Sequence, residues 1–451
     1  MLPGGELWLQ ELVANLVPTL ESLGGECVFL SEGPAARELG GTWIELNKLD
    51  ENPGFRRLAT TYPDPVVKEK ENDREIRFSH VLFGKKFSST EALSRYVKWM
   101  HQARALFRLT RPDMVWVWNG MVYCGAAFAA TAKEMEIPVM YAEKGVMPGS
   151  WALDPQGTNG ASSLPGLPDP RVEEDRITAM KEIIRQWDGG GDSAWEQPGR
   201  LGEEERTRLL REAGGRKVLF FPGQVDSDSN IVCFSPHFSD SLAALEFLVR
   251  NLGEEYFFLV KPHPKGQVSG AEYRTVLGTS GLVEEKIHVL DAIALSDLVV
   301  SINSTVAFEA AIRGKPVFLL GLGILSGRSF VAQWNPEEEL ASQVAGWVKH
   351  HRENSEKNTA KALSWAGFLH KEYYLFLNDI PRLTDRIKKE IETLAAKYHT
   401  SRLEFKEIDA LCGSPEIEYL TETISGRKLL KLAVRRFWNR LKKELRMKKG
   451  R

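Results

Sequence analysis

No two of the four cysteines, Cys27, Cys124, Cys233 and Cys412, stand at CxxC spacing. A disulfide framework and a thiolate zinc site are therefore not expected, and a reducing compartment is. No apolar run approaches the ~18 residues of a spanning helix, and the opening MLPGGELWLQELVANL lacks a basic segment leading into an apolar one. A non-secreted, non-spanning, cytoplasmic chain is the expectation. There is no repeat of fixed period. Nor is there a compositional bias: 43% hydrophobic and 27% charged residues describe a globular chain, not a collagen-like or disordered one. Net charge is scarce as well, at -2. It is unevenly spread, because residues 427–451 hold twelve Lys or Arg against the single Glu444, which leaves the rest of the chain acidic. An acidic body argues against nucleic acid, since phosphate neutralisation needs a basic face on the folded domains.

What is present is an alternation of strands and helices. CVFL at Cys27–Leu30, MVWVW at Met114–Trp118 and Val139–Ala142 read as strands. An Ala-rich helix from Tyr123 to Glu136 joins the last two, and a strand–helix–strand unit with short connections signals a parallel α/β sheet. The pattern restarts with Lys217–Phe221, a helix near Asp240–Asn251, and Tyr256–Val260. Further strands are expected at Ile287–Leu290, Leu298–Ile302 and Val317–Leu320, with a helix over 304–313. Glycines 189–191 and the charged stretch Glu203–Glu212 mark 186–216 as a linker. The expected organisation is an N-terminal α/β domain (1–185), the linker, a second α/β domain (217–400) and a helical basic tail (401–451). Two such Rossmann-like domains would face a cleft at the carboxyl ends of their strands, where open α/β sheets hold ligands.

The candidate chemistry lies in loops that end strands. In Ser301-Ile302-Asn303-Ser304-Thr305, a strand gives way to hydroxyls that cap a helix and suit a phosphate. Capping alone is the blander reading of a Ser-Thr pair. Prolines on both sides of His263, in Lys261-Pro262-His263-Pro264, hold an imidazole at a strand end. In Gly223-Gln224-Val225-Asp226-Ser227-Asp228, two carboxylates are available as nucleophile or base, or as mere turn residues. Glu143, closing a strand before Lys144-Gly145, is an acid/base candidate. No cluster has metal spacing, so no metal and no cofactor are expected.

Taken in order, WNG, EKGxxPxxxxLDPxGxNxxSSLP, GQVxxDS, KPHP and SINSTVxFEAxxxGKPVFLLG resemble the capsule polysaccharide biosynthesis family, which includes bacterial β-linked Kdo transferases (Kdo is 3-deoxy-D-manno-oct-2-ulosonic acid). The resemblance implies a GT-B-like glycosyltransferase that takes Kdo from CMP-Kdo. It further implies a lipid-linked saccharide acceptor and retention through an Asp-glycosyl intermediate. By the same resemblance His263, Ser304 and Thr305 bind the CMP part, Asp228 attacks the anomeric carbon with Asp226 as the competing choice, and Glu143 assists the acceptor. Gln224, Lys261, Asn303 and Glu309, in the same motifs, are expected to line the donor site. Other donors (CMP-sialic acid, a CDP-polyol, a UDP-sugar) and a non-catalytic capsule assembly or export protein are the alternatives. In the tail, Leu430, Val434, Phe437, Leu441 and Leu445 form an apolar stripe on an amphipathic helix whose other positions are basic. It suits an anionic inner-leaflet surface and a peripheral location there.

Overall fold

The computed structural model describes residues 89–190, less Val122, and 197–377, with short pieces of 14–22, 28–31, 42–45 and 379–392. The basic tail, 427–451, lies outside the described residues. No helix among the described residues is long and apolar enough to cross a membrane. The fold class is α/β with parallel sheets, as the strand–helix alternation predicts. Two compact units share the described residues: Glu143–Tyr374 forms one, and the residues before Glu143 and after Tyr374 form the other.

In the unit containing the N-terminal strands, β1 (Val28–Ser31) pairs in parallel with β2 (Thr42–Glu45). Helix α1 (Ser89–Thr110) precedes β3 (Val115–Trp118), α2 (Tyr123–Glu134) and β4 (Val139–Lys144). β3 and β4 pair in parallel from Val115↔Val139 to Trp118↔Ala142. The small residues of α2 let α1 approach closely, and Phe107 meets Phe128 edge-on at 5.7 Å between ring centroids. After β3 the chain turns through Asn119 (φ 56°) and Gly120 (φ 78°). A Cβ on Gly120 would lie 2.4 Å from the Tyr141 ring, so the glycine of WNG answers to backbone geometry and packing.

The other unit begins as β4 ends. β5 (Ser150–Asp154) leads to α3 (Glu174–Gly190) and α4 (Glu203–Glu212). Then come β6 (Lys217–Pro222), α5 (Ser229–Phe234), α6 (Ser241–Leu252), β7 (Tyr256–Lys261), α7 (Gly270–Leu277), β8 (Gly281–Val283), α8 (Val289–Leu295), β9 (Leu298–Ser301), α9 (Thr305–Ala311), β10 (Val317–Leu319), β11 (Ala332–Gln333), α10 (Leu340–Glu353) and α11 (Ser355–Phe368). The six strands β6–β11 form one parallel sheet in the order β8-β7-β6-β9-β10-β11. Numbered from β6 this is 3-2-1-4-5-6, the doubly wound order. β7 and β9 are buried along their whole length, as strands covered on both faces must be. Ala244, Leu245, Leu248 and Leu252 of α6 line one helix face and pack on Phe221, Phe258 and Val260. Asp240 caps that helix by accepting from Ala243 N at 2.8 Å.

One expected strand is absent. Ile287–Leu290 is not extended; the third strand is the shorter Gly281–Val283. His288 instead caps α8, its Nδ1 accepting from Leu290 N at 3.1 Å. A short apolar run does not by itself separate a strand from a buried helix start, and the cap decided this one.

Candidate functional site

The doubly wound order creates one place where strand connections leave in opposite directions, between β6 and β9. The loops ending these two strands carry GQVDSDSN and INST, and they are joined by a reciprocal amide pair. Gln224 Nε2 donates to Asn303 Oδ1 at 3.0 Å, and Asn303 N donates to Gln224 Oε1 at 3.2 Å. Asn303 Nδ2 also donates to the carbonyls of Asn230 (2.7 Å) and Leu322 (2.9 Å), tying in the loop after β10. Gln224 and Asn303 therefore hold the site's shape with their own side chains.

The KPHP loop lies beside the β6 loop. Gly223 N donates to Lys261 O at 2.8 Å, and a Cβ on Gly223 would sit 3.1 Å from His263 N, so the two loops approach as closely as a glycine permits. His263 Nδ1 accepts from Lys265 N at 3.0 Å, which leaves the neutral ring's proton on Nε2. Burial pushes the imidazole's pKa below its usual value, with the nearby Asp228 carboxylate pulling the other way. At neutral pH His263 is thus an uncharged Nε2–H donor. Lys261 has a different engagement: it is buried, and its ammonium donates to the carbonyls of Ile287 at 2.6 Å and Glu285 at 3.5 Å. Burial lowers its pKa.

The two carboxylates of the β6 loop differ sharply. Asp226 Oδ1 accepts from both N (2.8 Å) and Oγ (2.9 Å) of Ser241 at the start of α6, and Asp226 Oδ2 is buried without a partner. Burial raises its pKa, against the lowering effect of the Ser241 bonds. Asp228 is exposed and caps α5, one oxygen accepting from Asn230 N at 2.8 Å. Ser304 caps α9 through Val306 N at 3.2 Å, while the Thr305 hydroxyl makes no recorded bond among the described residues. Glu309 stands one turn along α9 from Thr305; burial raises its pKa, and Arg313 opposes the shift.

The loops after β4 and β5 come to the same place. Asp154, 1% exposed, accepts from Gln156 N (2.7 Å), Gly157 N (3.3 Å), Ser163 N (2.9 Å), Ser163 Oγ (2.6 Å) and Tyr373 OH (2.8 Å). This hub folds 154–163 so that Asn159, at φ 53°, donates from Nδ2 to Ser229 Oγ at 3.3 Å. Glu143 Oε1 accepts from Lys144 N at 2.9 Å, and Val146, three residues on, reaches the recess described next. Asn159, Asn230, Asn303, Ser304 and Thr305 line that small recess, open to solvent, with Phe308 and Leu325 among its apolar walls. Beyond it, the buried Arg328 donates to the carbonyls of Pro165 and Leu167 and lies 4.4 Å over the Trp365 ring, pinning the loop after β10 to 165–167.

Asp154, Asn159, Asn230 and Arg328 were not singled out as site residues by sequence reasoning. Asp154 and Asn159 do stand in the LDPxGxN motif and Asn230 ends the GQVDSDSN run, so the signal was motif membership with no role attached; for Asp154, an aspartate closing an apolar strand ahead of a Gly/Ser/Asn-rich loop marks an Asx-type hub.

Residues 200–351 match the model of the capsule polysaccharide biosynthesis protein family. Over that span, about a third of its length, the chain is similar to this family. The GQV, KPHP and INST loops fall inside the match; WNG and the 143–165 motif precede it. Protein FixF of Sinorhizobium fredii is 27% identical over 258 residues, which cover 52% of this chain and 58% of that protein. The capsule polysaccharide modification protein LipA of Neisseria meningitidis serogroup B is 24% identical over 159 residues, 33% of this chain and 22% of LipA. The chain thus spans well under two thirds of these curated relatives. Among solved structures, the Thermosulfurimonas dismutans KpsC β-Kdo 2,7 transferase aligns over 68% of this chain and 97% of its own, at 19% identity and TM-score 0.40. The β-Kdo 2,4 transferase of the same KpsC aligns over 62% and 87%, at 15% identity and TM-score 0.42.

Proposed function

We propose that this chain belongs to the capsule polysaccharide biosynthesis family and is a GT-B-like glycosyltransferase that moves Kdo from CMP-Kdo to a lipid-linked saccharide, with retention of configuration. The observation that carries the reading is the exposed carboxylate of Asp228 close to the neutral imidazole donor of His263, next to a recess that Asn230 and the unengaged Thr305 hydroxyl both line. A Asp228 oxygen attacks the anomeric carbon as the bond from that carbon to the CMP phosphate oxygen breaks. The electron pair leaves with the phosphate, where His263 Nε2–H and the Ser304 and Thr305 hydroxyls meet the growing charge. The acceptor hydroxyl then attacks the same carbon, its proton passes to Glu143, and the ester bond to Asp228 breaks; two displacements restore the configuration. Gln224 and Asn303 hold the two loops in register, and Asp226 holds the β6 loop to α6. Residues 427–451 would keep the enzyme at an anionic membrane surface, beside its acceptor.

The direct test is incubation with a CMP-Kdo generating system and an acceptor glycolipid, read by mass spectrometry. A mass increase of one Kdo residue is expected, and no product with any CMP-activated acidic sugar would end the reading.

Calorimetry with CMP tests the phosphate contacts. Thr305→Ala weakens CMP binding by about 1–2 kcal/mol, the range for one charge-assisted hydrogen bond. The pH dependence has a definite sign. In the free protein His263 holds its proton less tightly than an ordinary histidine, and a bound phosphate favours the imidazolium, so binding takes up a proton as pH falls towards the free protein's depressed pKa. CMP affinity of the wild type, relative to that of His263→Asn, therefore rises from pH 7.5 to pH 5.5; a constant ratio across that interval would remove His263 from the phosphate.

A further inference from the structure

β6 lies between β7 and β9 in the sheet, so the loop that ends it has a neighbour on each side. Gln224 and Asn303 join it to the loop after β9. A second carboxamide joins it to the loop after β7. Gln267 Oε1 accepts from Asp226 N at 2.8 Å, and Gln267 Nε2 donates to Ser227 Oγ at 2.7 Å. One side chain thus holds two consecutive residues, 41 and 40 positions away along the chain. A backbone N–H can meet only the oxygen end of the amide, and that fixes which end serves which residue.

The two residues held are the middle of a turn. Asp228 N donates to Val225 O at 2.9 Å, which closes a four-residue turn over 225–228 with Asp226 and Ser227 at its centre. A turn held only at its ends can tilt about the line between them; a hold on its centre sets the tilt, and with it the direction in which Asp228 stands. The hold comes from the loop that carries His263. Gly266 N donates to His263 O at 2.9 Å, and a Cβ on Gly266 would lie 3.2 Å from both Gln224 O and His263 O, so the two loops touch immediately before Gln267. We propose that Gln267 is a positioning residue for the transfer: it ties the turn that ends in Asp228 to the loop that carries His263, so that carboxylate and imidazole keep one separation. The inference rests on Asp228 being the attacking group. Gln267 acts through Asp226 and Ser227, and its neutral amide supplies an acceptor and a donor without adding a charge beside the carboxylate. It is exposed, so its two bonds add little to global stability and their loss is read in the rate.

Gln267→Met keeps the length of the side chain and removes both bonds. Its kcat for transfer falls about tenfold, while the CMP dissociation constant by calorimetry stays within about twofold of wild type and the urea midpoint is unchanged. Loss of CMP affinity in step with kcat would make Gln267 a nucleotide contact, and an unchanged kcat would leave it a surface residue; either result overturns the proposal. Ser227→Ala breaks only the hydroxyl half of the clamp and lowers kcat about threefold, but added to Gln267→Met it lowers kcat no further, because the bond is already gone. Losses that multiply in the double variant would refute the shared action. Deuterium exchange read on a peptide over 225–229 tests the brace without any substrate. Exchange there is on the order of tenfold faster in Gln267→Met than in wild type, since the Asp226 amide loses its acceptor and the turn loosens. Equal exchange in the two proteins refutes the positioning role whatever donor the enzyme takes. If wild type transfers no sugar from CMP-Kdo, the donor reading falls while this exchange comparison still decides the brace.

Discussion

Asp228→Asn abolishes sugar transfer, lowering kcat on the order of 10³-fold or more, with the fold and CMP affinity retained. The substitution keeps a side-chain oxygen for Asn230 N, so the cap on α5 costs a few tenths of a kcal/mol at most. What it removes is the anionic oxygen of the proposed attack. Asp226→Asn behaves differently, because its one engaged oxygen serves Ser241 and the other is buried: transfer continues, at a rate reduced by the loosened loop. Intact-protein mass spectrometry of donor-treated enzyme locates the adduct. An adduct on Asp226, or full turnover by Asp228→Ala, would reverse the assignment.

Asp154→Ala destabilises the protein by about 3 kcal/mol or more, since it strips the acceptor from four donor groups and one longer amide contact inside a buried turn. Tyr373→Phe, which removes one of those donors and leaves the carboxylate its other bonds, costs about 1 kcal/mol. Urea denaturation of the two variants checks the ratio. Equal midpoints for Asp154→Ala and wild type would mean that the turn does not depend on its hub. Because the turn presents Asn159 to Ser229, the Asp154 variant also loses donor turnover where it remains folded.

Much of this was legible locally. Lys217–Phe221 and Tyr256–Val260 are strands because short β-branched and aromatic runs bounded by turn residues have few other ways to bury themselves. Asp240 and Ser304 announced helix starts, and both cap through their side chains. The motif loops stand at strand ends because parallel α/β connections place them there. Ile287–Leu290 misled for the converse reason: its apolar residues enter a helix whose cap is a histidine, an uncommon capping residue.

Residue types and their order determined the α/β class, the strand ends and the list of groups available for chemistry. The tertiary structure decided which of them stay accessible and which are held inside. Strand order is a matter of non-local hydrogen bonding and burial, and β9 lies against β6 only because the sheet reverses there, which brings Gln224 to Asn303 across 79 residues of chain. Asp226 and Asp228 are the same residue type two positions apart, yet one is held inside by Ser241 and the other is left at the surface. Lys261 and His263 are likewise neighbours. The lysine is drawn inward to the carbonyls of Ile287 and Glu285, while the imidazole is held by the amide of Lys265 in its own loop. Local sequence proposes the groups; desolvation and hydrogen-bond satisfaction, which depend on what packs against each one, decide their use.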